Sequence, residues 1–472
     1  MSQAYPIGIS SLNTLKEQLR LLAFDIAVET PVDIVMRIQQ ELTTREKLAT
    51  LLEGELDFHG QDSGYASHNL HAFAAKFPPQ LPRVFIRGLT QPGDLVLDPM
   101  MGSGTAIVEA VLEGRRALGL DIDPLAIRLG SVKTTPLDID DLRHAGYRVL
   151  SRAHALLSEG SVVEHHLESF DGPTKAFIDY WFLPTTQREL MALLLAVQEV
   201  TDISIRRFLE LTFSSIIVTK SGGVSLARDL AHTRPHLDKT KIPRDALGQF
   251  LVRLRKNLES MTEVVSNDAG ALSLAGDARS MPIASGIVDL VITSPPYANA
   301  IDYMRAHKFS LVWLGEPISA LSELRAQYIG SERIGRSQYA ALPESTEATI
   351  RQLEERDSKK AVILRKYFTE MRSVIAEMFR VLRSDAAAVI VVGPSTMRGI
   401  RVQTHDCLAD IASSVGFEVV GVARRLLDRD KRMMPARFGK KSGSMIEQRM
   451  HEEYVVGLLK PELHRGGHHA HS

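Results

Sequence analysis

The chain has 472 residues, 44% hydrophobic and 24% charged, with a formal net charge of -1. This length suits one large decorated domain or two to three smaller ones, the composition is that of a soluble globular protein, and the near-neutral balance excludes a basic surface spread over the whole molecule. The single cysteine, Cys407, excludes an intramolecular disulfide framework and a cysteine-built zinc site. MSQAYPIGIS carries no basic segment followed by an apolar run, and no apolar stretch is long enough to cross a bilayer, so neither a signal peptide nor a membrane anchor is expected and the default location is cytoplasmic.

In chain order, residues 11–55 show apolar residues at helical spacing and residues 56–68 read as a loop. DLVLDPMMG then predicts a strand and its turn, TAIVEAVLEG a helix stopped by Gly114, RRALGLDID a second strand, and PLAIRLGSVK a helix with Pro124 in its first turn. This alternation predicts a parallel sheet covered by helices. Residues 138–265 break the pattern and read as mostly helical, apart from a polar, basic stretch at 219–244. Strand signals resume in ALSLAGDAR, VDLVITSPPY, AAAVIVVGPS, FEVVGVARRLL and EEYVVGLLKP. The His- and Gly-rich end reads as a disordered tail.

The turn Asp98-Pro99-Met100-Met101-Gly102-Ser103-Gly104-Thr105 follows a strand and opens a helix. Its glycines allow positive φ and close backbone approach, and the helix start offers free N–H groups to an anion. A triphosphate loop needs Gly-Lys-Ser/Thr, but Gly104 is followed by Thr105 and Ala106; a dinucleotide fingerprint needs a third small residue where Ile107 stands. S-adenosylmethionine remains, its carboxylate at the helix start and its ammonium group facing Asp98. Asp121 ends the second strand, where a carboxylate accepts from ribose hydroxyls; Asp123 either shares that role or caps the helix at Pro124. Asp277 ends the next strand after the helical block and is placed to accept an adenine amino group.

Ser294-Pro295-Pro296-Tyr297 follows the strand VDLVI, which the two prolines end abruptly. An exocyclic amino nitrogen of cytosine or adenine is a poor nucleophile because its lone pair is delocalised into the ring. The Ser294 hydroxyl and Pro295 carbonyl are acceptors suited to holding its N–H groups, Pro296 stiffens the unit, and the Tyr297 ring is suited to stack on a base swung out of a duplex.

DPMMGSGT together with TSPPY resembles the DNA amino-methyltransferases, which make N4-methylcytosine or N6-methyladenine. HAFAAKFPPQLP at 71–82 resembles their N-terminal cofactor motif, GLDIDP the acidic ribose motif and AGDA the adenine-contacting one. The resemblance implies a Rossmann-like methyltransferase fold, a doubly wound mixed sheet with a mostly helical insertion and an N-terminal helical extension. It implies S-adenosyl-L-methionine as cofactor, held by Lys76, Phe77, Pro78, Asp98, Pro99, Gly102, Ser103, Gly104, Thr105, Asp121, Ile122, Asp277 and Ala278, with Ser294, Pro295, Pro296 and Tyr297 catalytic. A Ser at the first tetrad position goes with N4 of cytosine, which leaves N6 of adenine open. The expected organisation is a helical extension at 1–60, a catalytic domain at 61–137 and 266–461, an insertion at 138–265 that reads DNA sequence, and a tail at 462–472. Lys220, Arg228, Arg234, Lys239, Lys241 and Arg244 are the insertion's candidate DNA contacts, and RRLLDRDKRMMPARFGKK at 424–441 is a second basic stretch.

Cys407, in THDCLAD, has no preceding proline and reads as helix core, which excludes the cysteine nucleophile of C5-cytosine methylation. No histidine shows metal-ligand spacing, so no metal is expected; His68, His71 and His307 lie near the motifs without an assigned role. DNA is the expected partner, with a cognate restriction endonuclease or a defence-system protein beside it. The competing readings are an RNA base N-methyltransferase and a non-catalytic nucleic-acid-binding protein that keeps the fold.

Overall fold

The computed structural model describes residues 42–73, 76–219, 223–228, 230, 235–261, 269–298, 302–331, 340–427 and 451–462. Residues Met1–Thr43 form a unit separate from Thr44–Ser472, and the account below concerns the second. The helices expected over 11–41, the tail from 463 and most of the second basic stretch lie outside the described residues, as do Lys220 and Arg234.

The elements follow one another as α1 (Thr44–Glu53), α2 (Gln80–Leu89), β1 (Leu95–Asp98), α3 (Thr105–Leu112), β2 (Arg116–Asp121) and α4 (Pro124–Thr134). A helical block comes next: α5 (Ile139–Glu159), α6 (Ser161–Glu168), α7 (Gly172–Trp181), α8 (Pro184–Gln198) and α9 (Ile203–Ile217), then the two-residue strands β3 (Ala227–Arg228) and β4 (His236–Leu237), then α10 (Ala246–Met261). The chain returns to the sheet with β5 (Ala271–Ala275) and β6 (Val288–Thr293). It continues through α11 (Met304–Leu311), α12 (Ile318–Gln327), α13 (Glu344–Glu354) and α14 (Ser358–Val381) to β7 (Leu382–Val392). The small hairpin β8 (Ser395–Met397) and β9 (Ile400–Val402), α15 (Thr404–Val415), β10 (Glu418–Leu426) and β11 (Glu452–Leu459) complete it.

Seven strands form one sheet in the order β10-β11-β7-β6-β1-β2-β5. Every pairing from β7 to β5 is parallel, while β11 runs antiparallel to both β7 and β10. Strand order reverses at β1: β2 and β5 build outward on one side, and β6 and β7 on the other. That reversal leaves a crevice beyond the carboxyl ends of β1 and β6, where open parallel sheets hold their ligands. The chain thus has the Rossmann-like, doubly wound mixed sheet of the methyltransferases.

Strand alternation assigns the two faces. Val96, Leu290, Ile292, Val389 and Val391 pack with Leu81, Phe85 and Ile86 of α2 and Ala106, Ile107 and Ala110 of α3. Their neighbours Leu97, Val291, Ala388 and Ile390 pack on the other face against Tyr367, Phe368 and Met371 of α14 and Leu408 and Ile411 of α15. Cys407 is buried in that second core, as expected of a helix-core residue.

The helical block has a core of its own, built on the sheet domain's flank. Leu125, Leu129 and Val132 of α4 and Met304, Phe309 and Trp313 share one apolar cluster with α5, α8, α9 and α10. Phe309 meets Trp181 and Phe182 meets Trp313 edge-to-face, and the two phenylalanine rings lie tilted against each other. Asp138, Asp171 and Asp202 cap α5, α7 and α9 by accepting from backbone N–H groups of their first turns.

Candidate active site

The cleft at the switch point is lined from β1, β2, β5 and β6, from Phe73, Lys76 and Phe77, and from the segment at 327–329, with about 880 Å³ of space counting the open solvent at its mouth. It brings together eleven of the thirteen expected cofactor residues: Lys76, Phe77, Asp98, Pro99, Gly102, Ser103, Thr105, Asp121, Ile122, Asp277 and Ala278. Pro78 and Gly104 do not line it. Gly104 is the residue before α3 and adopts φ 75°, and Gly102 adopts φ 47°. A Cβ on Gly102 would also stand 3.2 Å from the Phe73 ring, so this turn requires glycine twice over.

The glycine turn is pinned from below. Gly102 N–H donates to Asp121 Oδ2 at 2.9 Å, and Met101 N–H donates to the Leu120 carbonyl at 2.9 Å. Lys133 of α4, fully buried, donates from Nζ to the Ser103 carbonyl at 2.6 Å. Burial, followed by the nearby Lys76 charge, holds the Lys133 ammonium well below its usual range. The 65–83 segment is tied to α3 through Glu109, which has no exposed surface. Glu109 accepts from Tyr65 OH, His68 Nε2 and Arg83 Nε, each at 2.7 Å. Nothing in the helical pattern of TAIVEAVLEG singles Glu109 out from a surface glutamate.

Two carboxylates at neighbouring strand ends carry raised pKa values. Asp98 is pushed up to about 7 by burial, against hydrogen bonds from Thr293 Oγ1 (2.7 Å) and Met100 N–H (3.2 Å). Both bonds go to Oδ1, which leaves Oδ2 to the cleft. Asp121 rises to about 6, through burial and then the charge of Asp123. Asp123 caps α4 by accepting from Leu125 N–H, and it also lines the cleft. Its Oδ2 meets His307 Nδ1 at 2.5 Å. Asp277 grips Arg279 with both carboxylate oxygens; burial pushes its carboxyl up, but Arg279 holds it below the usual range.

The tetrad leaves β6 beside this turn. Thr293, its neighbour, donates to Asp98, so the two motifs are joined by one hydrogen bond. Ser294 and Pro296 line the cleft, and Pro295 is buried beside them. Tyr297 does not line it. Its hydroxyl donates to Glu453 Oε1 of β11 at 2.6 Å, Glu453 also takes Arg425, and its ring packs against Gly393 beyond β7. The ring is therefore anchored at its outer end.

The three histidines without a role prove to be ties. His68 holds Glu109, His307 holds Asp123, and His71 Nε2 meets Ser214 Oγ of α9 at 2.9 Å. Burial drives His68 down to about 4 and His71 to about 3, so both are neutral. Phe73, Met100, Met101, Gly276, Tyr303, Gln327, Tyr328 and Ile329 also line the cleft. Of these, Gln327, Tyr328 and Ile329 belong to no motif of the sequence, and only the fold brings them to the cleft. Phe73 and Tyr303 stack at 5.4 Å.

Among the candidate DNA contacts, Arg228, Lys239 and Arg244 are exposed. Arg228 pairs with Asp238, and Lys241 donates to the Ala227 carbonyl at 2.7 Å across the β3–β4 pair. The four stand in one small region of the helical block, but Arg228, Lys241 and Arg244, which donates to Gln249 Oε1 at 3.3 Å, have partners within the protein. Among the described residues, no group of three or more metal-ligating side chains occurs, and no helix is long and apolar enough to cross a membrane.

Strand order and cleft define the class, a methyltransferase. A family model for DNA methylase, covering N6 and N4 enzymes, matches residues 36–131. The chain is 23% identical over 394 residues to the Type II methyltransferase M.MvaI of Kocuria varians, covering 75% of this chain and 83% of that one. It is 24% identical over 410 residues to M.BsoBI of Geobacillus stearothermophilus, covering 75% and 79%. Among solved structures, a TehB-like methyltransferase from Corynebacterium glutamicum aligns over 80% of this chain and 86% of its own, at 11% identity and TM-score 0.27. That score adds nothing to the strand order. In its motifs, and over most of its length in these relatives, the chain is similar to the DNA amino-methyltransferases of the N6/N4 group.

Proposed function

We propose that this protein is a site-specific DNA methyltransferase acting in the cytoplasm, and that it transfers a methyl group from S-adenosylmethionine to the exocyclic N4 of cytosine. The observation that carries the reading is the Thr293–Asp98 hydrogen bond, which sets the Ser294 tetrad and the glycine turn on one cleft.

The donor set suits that cofactor. Asp98 Oδ2 is an acceptor for its ammonium group. The start of α3, with Ser103 and Thr105, offers donors to its carboxylate, with the Lys76 charge in the same cleft. Asp121 is an acceptor for ribose, and Asp277 and Ala278 stand at the end of β5 for adenine. Bound there, S-adenosylmethionine supplies an electrophilic methyl group. The chain's own work is to prepare the nucleophile. Ser294 Oγ, which has no hydrogen-bond partner among the described residues, and the Pro295 carbonyl hold the amino N–H groups and turn the nitrogen lone pair toward the cofactor side. The prolines keep both acceptors in place, and the Tyr297–Glu453 bond fixes the far end of the tetrad. No cysteine adduct is required.

The helical block, with Lys239 and Arg244 exposed, supplies the surface proposed to meet the duplex. The Type II methyltransferases related to this chain favour DNA over RNA as the substrate. The Ser at the tetrad's first position favours cytosine.

The test is transfer from labelled S-adenosylmethionine to unmethylated genomic DNA, with mass identification of the modified nucleoside. N4-methylcytosine is expected. N6-methyladenine would replace the target base and keep the site; label entering RNA alone would overturn the substrate class.

A further inference from the structure

The far wall of the cleft, Gln327–Ser331, is fastened at every step. Arg279 donates to the Gln327 carbonyl at 3.0 Å, Gly330 N–H donates to Glu370 at 3.1 Å, and Lys366 donates to Ser331 Oγ at 2.7 Å. Arg279 is itself locked to Asp277 and Glu370. The wall thus presents Tyr328 to the cleft from a braced backbone.

Tyr328 is nevertheless left incomplete. Its hydroxyl is buried and has no hydrogen-bond partner among the described residues. An unsatisfied buried hydroxyl is costly and rare, and at a ligand cleft it marks a place where the ligand supplies the partner. Asp123 lies close enough to act on the phenol, but its carboxylate is outside hydrogen-bond geometry for that hydroxyl; its Oδ1 takes Leu125 N–H and its Oδ2 meets His307. Burial, with Asp123 and then Asp121 nearby, pushes the phenol's pKa up, so it stays protonated. A protonated phenol beside carboxylates is a donor in search of an acceptor.

The chemistry of the neighbourhood specifies that acceptor. Asp121, a pure acceptor when ionised, lies within electrostatic reach of Tyr328 on the same cleft. A group that satisfies both must donate to a carboxylate and accept from a phenol at once. A sugar hydroxyl does this; a carboxylate, an ammonium group or a base amino group does not.

We propose that Tyr328 is a cofactor-recognition residue whose hydroxyl donates to a ribose hydroxyl of the bound nucleoside, opposite Asp121, so that the cleft distinguishes ribose from deoxyribose. This rests on the methyltransferase reading. A consequence is that the cleft reserves its nucleoside site for the cofactor and rejects a deoxynucleoside of the substrate.

The experiment is calorimetric titration of the wild type and Tyr328→Phe with S-adenosylhomocysteine and its 2′-deoxy and 3′-deoxy forms, alongside melting of each ligand-free protein. Tyr328→Phe is expected to bind S-adenosylhomocysteine about 5- to 10-fold more weakly, the loss of one hydrogen bond. Against one of the two deoxy forms the substitution should cost nothing further. The ligand-free melting temperature should not fall, because no bond within the protein is lost. Unchanged affinity in Tyr328→Phe overturns the proposal. So does an equal loss for all three ligands, a wild type indifferent to both hydroxyls, or a lower melting temperature with affinity intact. A wild type that binds none of the ligands sinks the methyltransferase reading itself.

Discussion

The strand ends around the cleft and the helical block beside them are built of opposite materials. At the strand ends, Asp98, Asp123, Glu109, His68 and Lys133 are all buried, and each is held by specific hydrogen bonds. The core that the block shares with α4 and the α11 region is mainly apolar, its buried polar side chains within the block are uncharged, and Phe182, Phe208, Phe213, Phe250, Phe309 and Trp313 are each at most 1% exposed. Buried ionisable groups cost the fold free energy even when paired, whereas apolar burial stabilises it. The cleft is thus organised for a ligand at some expense to stability, and the helical block is a main source of the stability that offsets it. Helix α4 serves both regions: Leu125, Leu129 and Val132 face the block, while Asp123 caps its start and Lys133 reaches the glycine turn.

The sharpest way to break this contrast is to empty the block's core. Trp313→Ala should lower unfolding free energy by about 3–5 kcal/mol, read from urea denaturation of the ligand-free protein. A cost below about 1 kcal/mol would show that the block contributes little. Next, Ser294→Ala should reduce the methyl-transfer rate at saturating substrates by roughly 10²-fold, in the range for losing a positioned transition-state hydrogen bond. Its cofactor affinity and melting temperature should match the wild type, and a variant that keeps its rate removes Ser294 from the chemistry.

Asp98→Asn sharpens the contrast from the other side. The Asp98 pKa in the fold, about 7, lies above the ordinary 3.8. The folded state therefore holds a proton that the unfolded chain has released, and the stability tied to this group declines between about pH 4 and pH 7 and is level above. Asp98→Asn should thus melt no lower than the wild type at pH 8 without ligand, yet bind S-adenosylmethionine at least about 10-fold more weakly, the scale of a lost charge-assisted bond. In the wild type, affinity should rise from pH 6 to pH 7.5 as Asp98 ionises. A flat profile would separate Asp98 from the ammonium group. The smallest effect is expected at the block's surface, where Lys239→Ala with Arg244→Ala should weaken DNA binding several-fold and reduce the salt slope by up to about 2. No change in either quantity would take this loop off the DNA.

The cleft was legible in the sequence wherever its residues stand in strand-to-turn junctions. Asp98, Gly102, Asp121, Asp277 and Ser294 each end or follow a short apolar run, and a parallel sheet gathers such ends at one edge. The opposite wall was not legible. Gln327–Ile329 leaves α12 with no motif, and only Arg279, Glu370 and Lys366, distant in sequence, bring it into place. Tyr297 shows the limit in a different form. Its motif fixes its position along the chain, but its orientation is set by Glu453 on β11, the last strand. Likewise the basic stretch at 219–244 reads as a uniform charge run, yet its side chains differ: Lys241 is half-buried against the Ala227 carbonyl, whereas Arg228, Lys239 and Arg244 are exposed, Arg228 with Asp238 and Arg244 with Gln249 as partner.

One feature of the sheet bears on how the molecule comes into being. β5 pairs with β2 although the entire helical block separates them along the chain. During synthesis, β1 and β2 must wait for the block to emerge before their neighbour arrives, and closing so long a loop slows folding. β5 is an edge strand and is followed by Asp277, so the adenine end of the cleft is completed only when that late pairing forms. Cofactor binding would then act as a seal on assembly, drawing the population toward chains that have closed this register.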